Sequence, residues 1–181
     1  MPEVPELSTP RLLLRGWRQD DREPFARMNA DPMVRRYFAT LLSRAESDAL
    51  VDWHQDSFAR HGFGFWAVEL REPGTFIGFL GLCTPSFDAH FTPCVEIGWR
   101  LAAPFWNQGY ATEGARAALA FGFDRLQLAE IVSFTTAANA PSRRVMEKLG
   151  MTRDPADDFG HPKIADGDPL RPHVLYRIRR R

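Results

Sequence analysis

Residues 105–123 read FWNQGYATEGARAALAFGF. An aromatic pair runs into a short polar turn with one glycine, and then into an alanine-rich stretch, free of proline, that favours helix. The preceding CVEIGWRLA (residues 94–102) is apolar and β-rich enough to be a strand. If the helix begins near Gly109, the NQGYAT turn presents several unpaired backbone amides at a helix N-terminus, which is an anion site. Gly109 lets the chain approach a phosphate closely, Ala111 is small for the same purpose, and Thr112 adds a hydroxyl donor. A diphosphate is the natural guest. The plainer alternative is a tight turn into a helix that would form anyway.

Outward from that turn the chain alternates strands and helices. RLLLRGW (11–17) reads as a strand, and Asp20 with Glu23 suggests a capping box that starts a helix running through Met28. Ser43 with Glu46 repeats the pattern, and the helix that follows would put Ala49, Leu50 and Trp53 on one side before Gly62 stops it. GFWAVEL and TFIGFLGL, separated by REPG, form a hairpin, EIVSFTT (130–136) is a strand, and NAPSRRVMEKLG is a capped helix ending at Gly150. Residues 154–172 carry prolines and aspartates without periodicity and read as a surface loop before a last strand, VLYRI. The order β-α-α-β-β-β-α-β-α-β implies an α/β chain, with a mixed α+β sheet.

The 181 residues suit one domain, and 23 basic against 23 acidic residues leave a formal charge of zero, so no whole-molecule field draws the protein to nucleic acid or membrane. Cys83 and Cys94 are the two cysteines and form no CxxC; with no signal-like N-terminus, the expectation is a soluble protein of the reducing cytoplasm. No apolar run approaches the roughly 20 residues that span a bilayer. Cys83, His90 and Cys94 fit no closed zinc spacing, so no metal is expected. The basic tail RIRRR reads as solvated surface. Trp17, Phe38 and Trp53 are candidate exposed aromatics for a homodimer.

Several blocks together resemble the GNAT superfamily of N-acetyltransferases, in particular the branch of the ribosomal-protein-serine/alanine N-terminal acetyltransferases. They are W106-N-Q-G-Y-A-T-E113, the upstream V95-E-I-G-W99, the downstream N139-A-P-S142 with L149-G150, and the opening T9-P-R-L-L-L-R15. The resemblance implies a single N-acetyltransferase domain over 1–181, in which the strands at 94–102 and 130–136 splay apart to admit the pantetheine arm of acetyl-CoA. It places the diphosphate on the amides from about Gln108 to Thr112, with Asn107, where this branch commonly has a second glycine, and Tyr110 in the same turn. It also implies that backbone amides of Trp99, Arg100 and Leu101 hold the thioester oxygen and pantetheine. By the same resemblance Asn139 contacts the pantetheine, and Ser142 lies near the sulfur, where it would relay a proton to the thiolate. From the residues alone, Asn139 is an N-cap and Ser142 bonds locally.

Acetyl transfer to an amine needs a neutral nucleophile, donors for the developing oxyanion and a proton for the thiolate. Strand alternation puts Glu96, Gly98 and Arg100 on one face and Val95, Ile97, Trp99 and Leu101 on the other. Glu96 thus shares its face with a glycine that leaves room for a ligand, and it is the candidate base, acting through a water. Tyr110 and Tyr176 are further possible donors. His161 and His173 bracket the 154–172 loop, which could cover the acceptor site; no chemistry is assigned to them. A single carboxylate suits an α-amino group (pKa near 8) better than lysine (near 10.4), a difference of roughly 3 kcal/mol. The acceptor is therefore expected to be a peptide N-terminus or a small-molecule amine. The competing reading is a non-catalytic acyl-CoA-binding sensor or scaffold.

Overall fold

The computed structural model describes residues 4–180. Its strands are β1 (Leu7–Ser8), β2 (Leu12–Arg15), β3 (Phe65–Leu70), β4 (Phe76–Cys83), β5 (Glu96–Leu101), β6 (Glu130–Thr136), β7 (Thr152–Arg153), β8 (Phe159–Gly160) and β9 (Pro172–Arg179). Its helices are α1 (Arg22–Asn29), α2 (Pro32–Arg35), α3 (Arg44–His61), α4 (Tyr110–Ala120) and α5 (Ala140–Lys148). One mixed sheet runs β1-β2-β3-β4-β5-β6-β9-β7, with β8 also on β9. Among the described residues, only β5 and β6 pair in parallel. The long elements follow the order expected from sequence. The additions are the two-residue strands β1, β7 and β8 and the four-residue α2, pieces too short to carry a periodicity. Two of them bracket or interrupt what sequence reads as a loop: β7 lies just before it and β8 within it, both on β9.

Alternation along β3 explains why both faces of the sheet are covered. Trp66 and Val68 point into a core with Leu12, Leu14, Leu80, Leu82 and Ile97, against which α4 lays Ala115, Ala118 and Leu119. Phe65 and Ala67 point the other way, into a core with Phe79, Cys83, Phe25 and Met28 of α1, and Val51 of α3. Each fully buried Leu or Phe contributes on the order of 1.5–3 kcal/mol, so the small residues of α4 serve to bring the helix close to the sheet rather than to add area.

Three sequence expectations need correction. The buried side of α3 is Ser47, Val51, His54 and Phe58, at helical spacing, while Trp53 is 42% exposed and Ala49 lies outside. The face was misread because His54 counts as polar, yet it sits 1% exposed against the rings of Trp17, Phe65 and Phe79. Burial drives its pKa down to about 3, with the nearby Arg100 charge adding to the shift, so His54 packs as a neutral aromatic. Trp17, expected at the surface, is 7% exposed, with its indole N–H donating to Phe65 O at 2.8 Å. Asp20 does not cap α1; the neighbouring Asp21 organises that entrance.

Asp21 is an acceptor with three donors. Its Oδ2 takes the Arg18 backbone N–H and Arg15 Nη1, each at 2.7 Å, and its Oδ1 takes Arg15 Nη2 at 2.8 Å. The Arg15 and Asp21 side chains are 3% and 4% exposed, and Arg15 Nε also reaches Glu69 Oε2 on β3 at 2.8 Å. The fork therefore ties β2, β3 and the start of α1 together around a buried guanidinium. Removing Asp21 strips the buried Arg15 of its bidentate partner and leaves Glu69 as its one remaining carboxylate. Asp21→Ala is expected to lower unfolding stability by about 3–5 kcal/mol, read as the shift in urea midpoint; a change below about 0.5 kcal/mol would mean that the pair is screened by water.

Candidate active site

β5 and β6 meet at a single register pair, Glu96 with Val132, joined by Val132 N–H to Val95 O at 2.9 Å. Each strand has a complete ladder on its other side: all six residues of β5 pair with β4, and all seven of β6 pair with β9. Beyond Glu96 the two strands are free to part without stranding the outer ladders. Backbone groups alternate in direction along a strand, and Val95 O points towards β6, so the amides of Trp99 and Leu101 face the opening. The Arg100 amide falls on the β4 side, with that of Ala102, which donates to Ile77 O at 2.9 Å. Because β5 and β6 run parallel, the turns leading into α4 and α5 lie at the same end of the opening, where ligands of α/β sheets commonly sit.

The turn before α4 has the geometry of an anion cradle. Gly109 takes φ +83° and ψ 0°, and no side chain caps the helix. The first bond into the helix is Glu113 N–H to Gly109 O at 2.9 Å. Among the described residues, the amides of Gln108 to Thr112 donate to no protein acceptor. Asn107 adopts φ +60°, a left-handed conformation that asparagine tolerates better than most residues.

A clamp from the N-terminal strand fixes this turn. Thr9 Oγ1 and the Arg11 amide donate to Glu113 Oε1 at 2.6 and 2.9 Å, and Arg11 Nε donates to Oε2 at 2.7 Å. Arg11 Nη1 donates to Gln108 O at 3.0 Å, and its guanidinium lies 4.5 Å from the Tyr110 ring centroid. These bonds hold the Glu113 carboxyl below its ordinary value despite partial burial. Tyr110 thereby packs beneath Arg11. The clamp was not foreseen, since its partners are more than one hundred residues apart in sequence; the only signal was the T9-P-R11 pattern itself.

Glu96 sits at the vertex where β5 and β6 diverge. Its Oε2 accepts from the Cys83 thiol at 3.5 Å, across the β4 register. Burial raises the carboxyl from 4.5 to about 8, a shift that the Cys83 hydrogen bond partly offsets. Cys83 is itself buried, and its thiol is pushed well up, chiefly by burial and then by the Glu96 charge, so it stays a neutral donor. The space beside Gly98 is narrower than sequence suggests: a Cβ there would lie 3.1 Å from the Phe65 ring and 3.6 Å from Glu96 Oε1. His90 faces Asp157 at 3.6 Å rather than the two cysteines.

Across the opening, Asn139 caps α5. Its Oδ1 accepts from the Ser142 amide at 3.3 Å, and its Nδ2 donates to Thr135 Oγ1 at 2.9 Å and Ser142 Oγ at 3.1 Å. Ser142 and Asn139 therefore stand together at a helix start near the end of β6, each with capping bonds in place. The Tyr176 hydroxyl donates to Glu147 Oε1 at 3.1 Å and accepts from Arg143 Nε at 3.4 Å, so it is committed to α5.

The divergent strands, the amide turn and the buried carboxylate are the arrangement of an acyl-CoA-dependent transferase, and comparison with known proteins agrees. Residues 11–152 match the model of the Acetyltransferase (GNAT) domain family, and the chain belongs to that family. FsC-acetyl coenzyme A-N(2)-transacetylase of Aspergillus fumigatus is 34% identical over 155 residues, covering 82% of this chain and 65% of that protein. A GNAT-family acetyltransferase structure from Bacillus anthracis superposes with TM-score 0.79 at 25% identity, covering 97% and 98% of the two chains. A Vibrio cholerae structure proposed to be a ribosomal-protein-serine acetyltransferase superposes with TM-score 0.79 at 18% identity, covering 99% and 100%, which speaks to fold. The protein is thus an N-acetyltransferase, and its family implies acetyl-CoA as cosubstrate.

Gly109 gives the direct test of the cradle. A Cβ at φ +83° is strained and would lie 3.4 Å from Arg11 Nη2. Gly109→Ala is expected to cost about 1–2 kcal/mol of stability and to weaken acetyl-CoA binding by calorimetry about tenfold or more; unchanged affinity would mean that the diphosphate lies elsewhere.

Proposed function

We propose that the protein transfers acetyl directly from acetyl-CoA to a primary α-amine, with Glu96 as general base. The observation that carries this reading is a buried carboxyl, raised to about 8, at the vertex of the β5–β6 opening. A base of that strength matches an α-ammonium, whose ordinary pKa is also near 8, so proton transfer between them is close to balanced. From lysine the same transfer is uphill by roughly 3 kcal/mol. The relative named for acetylating an N(2) position is consistent with an amine of this kind.

Acetyl-CoA supplies an acyl group on a thiolate leaving group. The residues present fit it: the amides of Gln108 to Thr112 would take the diphosphate, and those of Trp99 and Leu101 would take the thioester oxygen and pantetheine. Asn139 would contact the pantetheine, and the Ser142 hydroxyl, at the start of α5, would return a proton to sulfur. Glu96 draws the proton from the acceptor through a water. A sensor without chemistry would have no use for a carboxylate held so far from its ordinary pKa. The reading takes residues 1–181 as one domain working in the cytoplasm.

Glu96 must be ionised to act, so kcat/KM for an acceptor whose own pKa lies below 7 should rise with pH and level off above about 8. Glu96→Gln should cost about 10²–10⁴ in kcat and flatten the rise. The same raised pKa means that the folded protein holds a proton which the unfolded chain has released between about 4.5 and 8. Stability from this group is complete at low pH and is lost as pH climbs through about 8, a loss that the Gln variant should not show. A pH profile identical in wild type and Glu96→Gln would remove Glu96 from the mechanism.

A further inference from the structure

Two arginines on the side of the sheet that carries Glu96, Arg35 buried and Arg100 partly buried, have no carboxylate in ion-pair contact among the described residues. Arg100, two positions beyond Gly98 on the Glu96 face of β5, donates from Nη1 to the neutral Asn29 Oδ1 at 3.0 Å, and its buried Nε has no partner. Its guanidinium carbon lies 4.2 Å from the Phe38 ring centroid and 5.1 Å from that of Phe79. Arg35, 8% exposed, donates from Nε to Thr40 O at 2.9 Å, and its guanidinium carbon lies 4.5 Å from the same Phe38 ring centroid. Among the described residues, neither makes an ion pair with a carboxylate.

The nearby groups compensate them only weakly: burial lowers the Arg35 pKa, although the Glu46 charge opposes that shift from a distance. His54 is neutral, Asn29 is neutral, and the two guanidiniums repel each other. Burial, with Arg35 adding to it, lowers Arg100 to about 9. Burying charge without a partner is costly, and the same fold does otherwise at Arg15, where two carboxylates meet the guanidinium. A Phe38 ring 43% exposed is the cover over both arginines, and Arg100 itself is only partly buried, so the pair remains within reach of a ligand.

We propose that Arg100 and Arg35 are an anion subsite for the acceptor, and that the acceptor is a small primary amine bearing a carboxylate, such as an amino acid or short peptide with a free C-terminus. This rests on the transfer reading above, which puts the acceptor amine on the Glu96 face. Four residues of strand rise separate Glu96 from Arg100 by about 13 Å between Cα atoms. The arginine side chain and a water on Glu96 shorten that gap to the scale of such a molecule. A guanidinium is a charge-assisted donor to a carboxylate, and Arg100 Nη2 donates to no acceptor among the described residues.

The test titrates the full chain, saturated with CoA, with a panel of N-acetyl amino acids and their C-terminal amides, which are product analogues that need no turnover. The expected result is that at least one free acid binds about tenfold or more tighter than its amide, an advantage weakened in Arg100→Lys and abolished in Arg100→Met. With its unpaired charge removed, Arg100→Met should melt at or above the wild-type temperature, which an arginine serving only to hold Asn29 would not allow. Equal binding of acids and amides, no binding of any acid, or a preference that survives in Arg100→Met would overturn the proposal. An Arg100-dependent preference for succinyl-CoA over acetyl-CoA would overturn it too, by moving the carboxylate to the acyl group. Glu96-dependent turnover indifferent to acceptor charge sinks this inference alone, whereas Arg100-dependent acid binding with no turnover of any amine upholds the subsite and fails the transfer reading.

Discussion

Everything at the site depends on β5 and β6 being satisfied on their outer edges. A parallel pair that ended after one register match would ordinarily leave a row of costly unpaired backbone groups. Here β4 and β9 complete the outer ladders, so the inner edges can stay open along a cleft. Those open groups become the binding surface: amides of β5 on one wall, the start of α5 on the other, and the N-terminus of α4 at the mouth. The crossover through α4 is held close by the small residues Gly114, Ala115 and Ala118, which lie directly on the sheet.

Three ionisable side chains show how differently the fold compensates such groups at different places. Arg15 is met by two carboxylates and fastens β2, β3 and α1; it behaves as structure. Glu96 is met by one weak thiol donor and retains its proton to near pH 8, a state suited to exchanging protons with an amine. Arg100 has a single neutral partner and an orphaned Nε, and it stands on the same strand face as Glu96. The absence of compensation at the last two, against its completeness at the first, is what marks that face of β5 as a place for ligands.

Much of this was legible in the amino-acid order because local chemistry dictated it. Ser43 and Glu46 do form a reciprocal cap, Asn139 does cap α5, and α4 does begin directly after Gly109. The long strands could be placed because apolar runs bounded by turns leave few alternatives. What escaped was non-local or chemically ambiguous. His54 reads as polar yet packs as an aromatic, which rotated α3 in the sequence reading. The Arg11–Glu113 clamp and the Cys83 contact with Glu96 join distant segments through side chains, and no periodicity reports such pairs. Glu96 could be chosen by its strand face, but the strength of its pKa shift follows from enclosure that only packing reveals.

The central claim is that the β5–β6 cleft and the α4 turn together hold acetyl-CoA. A crystal structure of the protein with CoA addresses it most directly. The account predicts diphosphate oxygens within hydrogen-bond distance of amides between Gln108 and Thr112, and the pantetheine running along β5 past Trp99 and Leu101, with its sulfur in the cleft beyond Glu96. A CoA seated on another surface, or a cleft in which β5 and β6 close on each other past Val132, would contradict it.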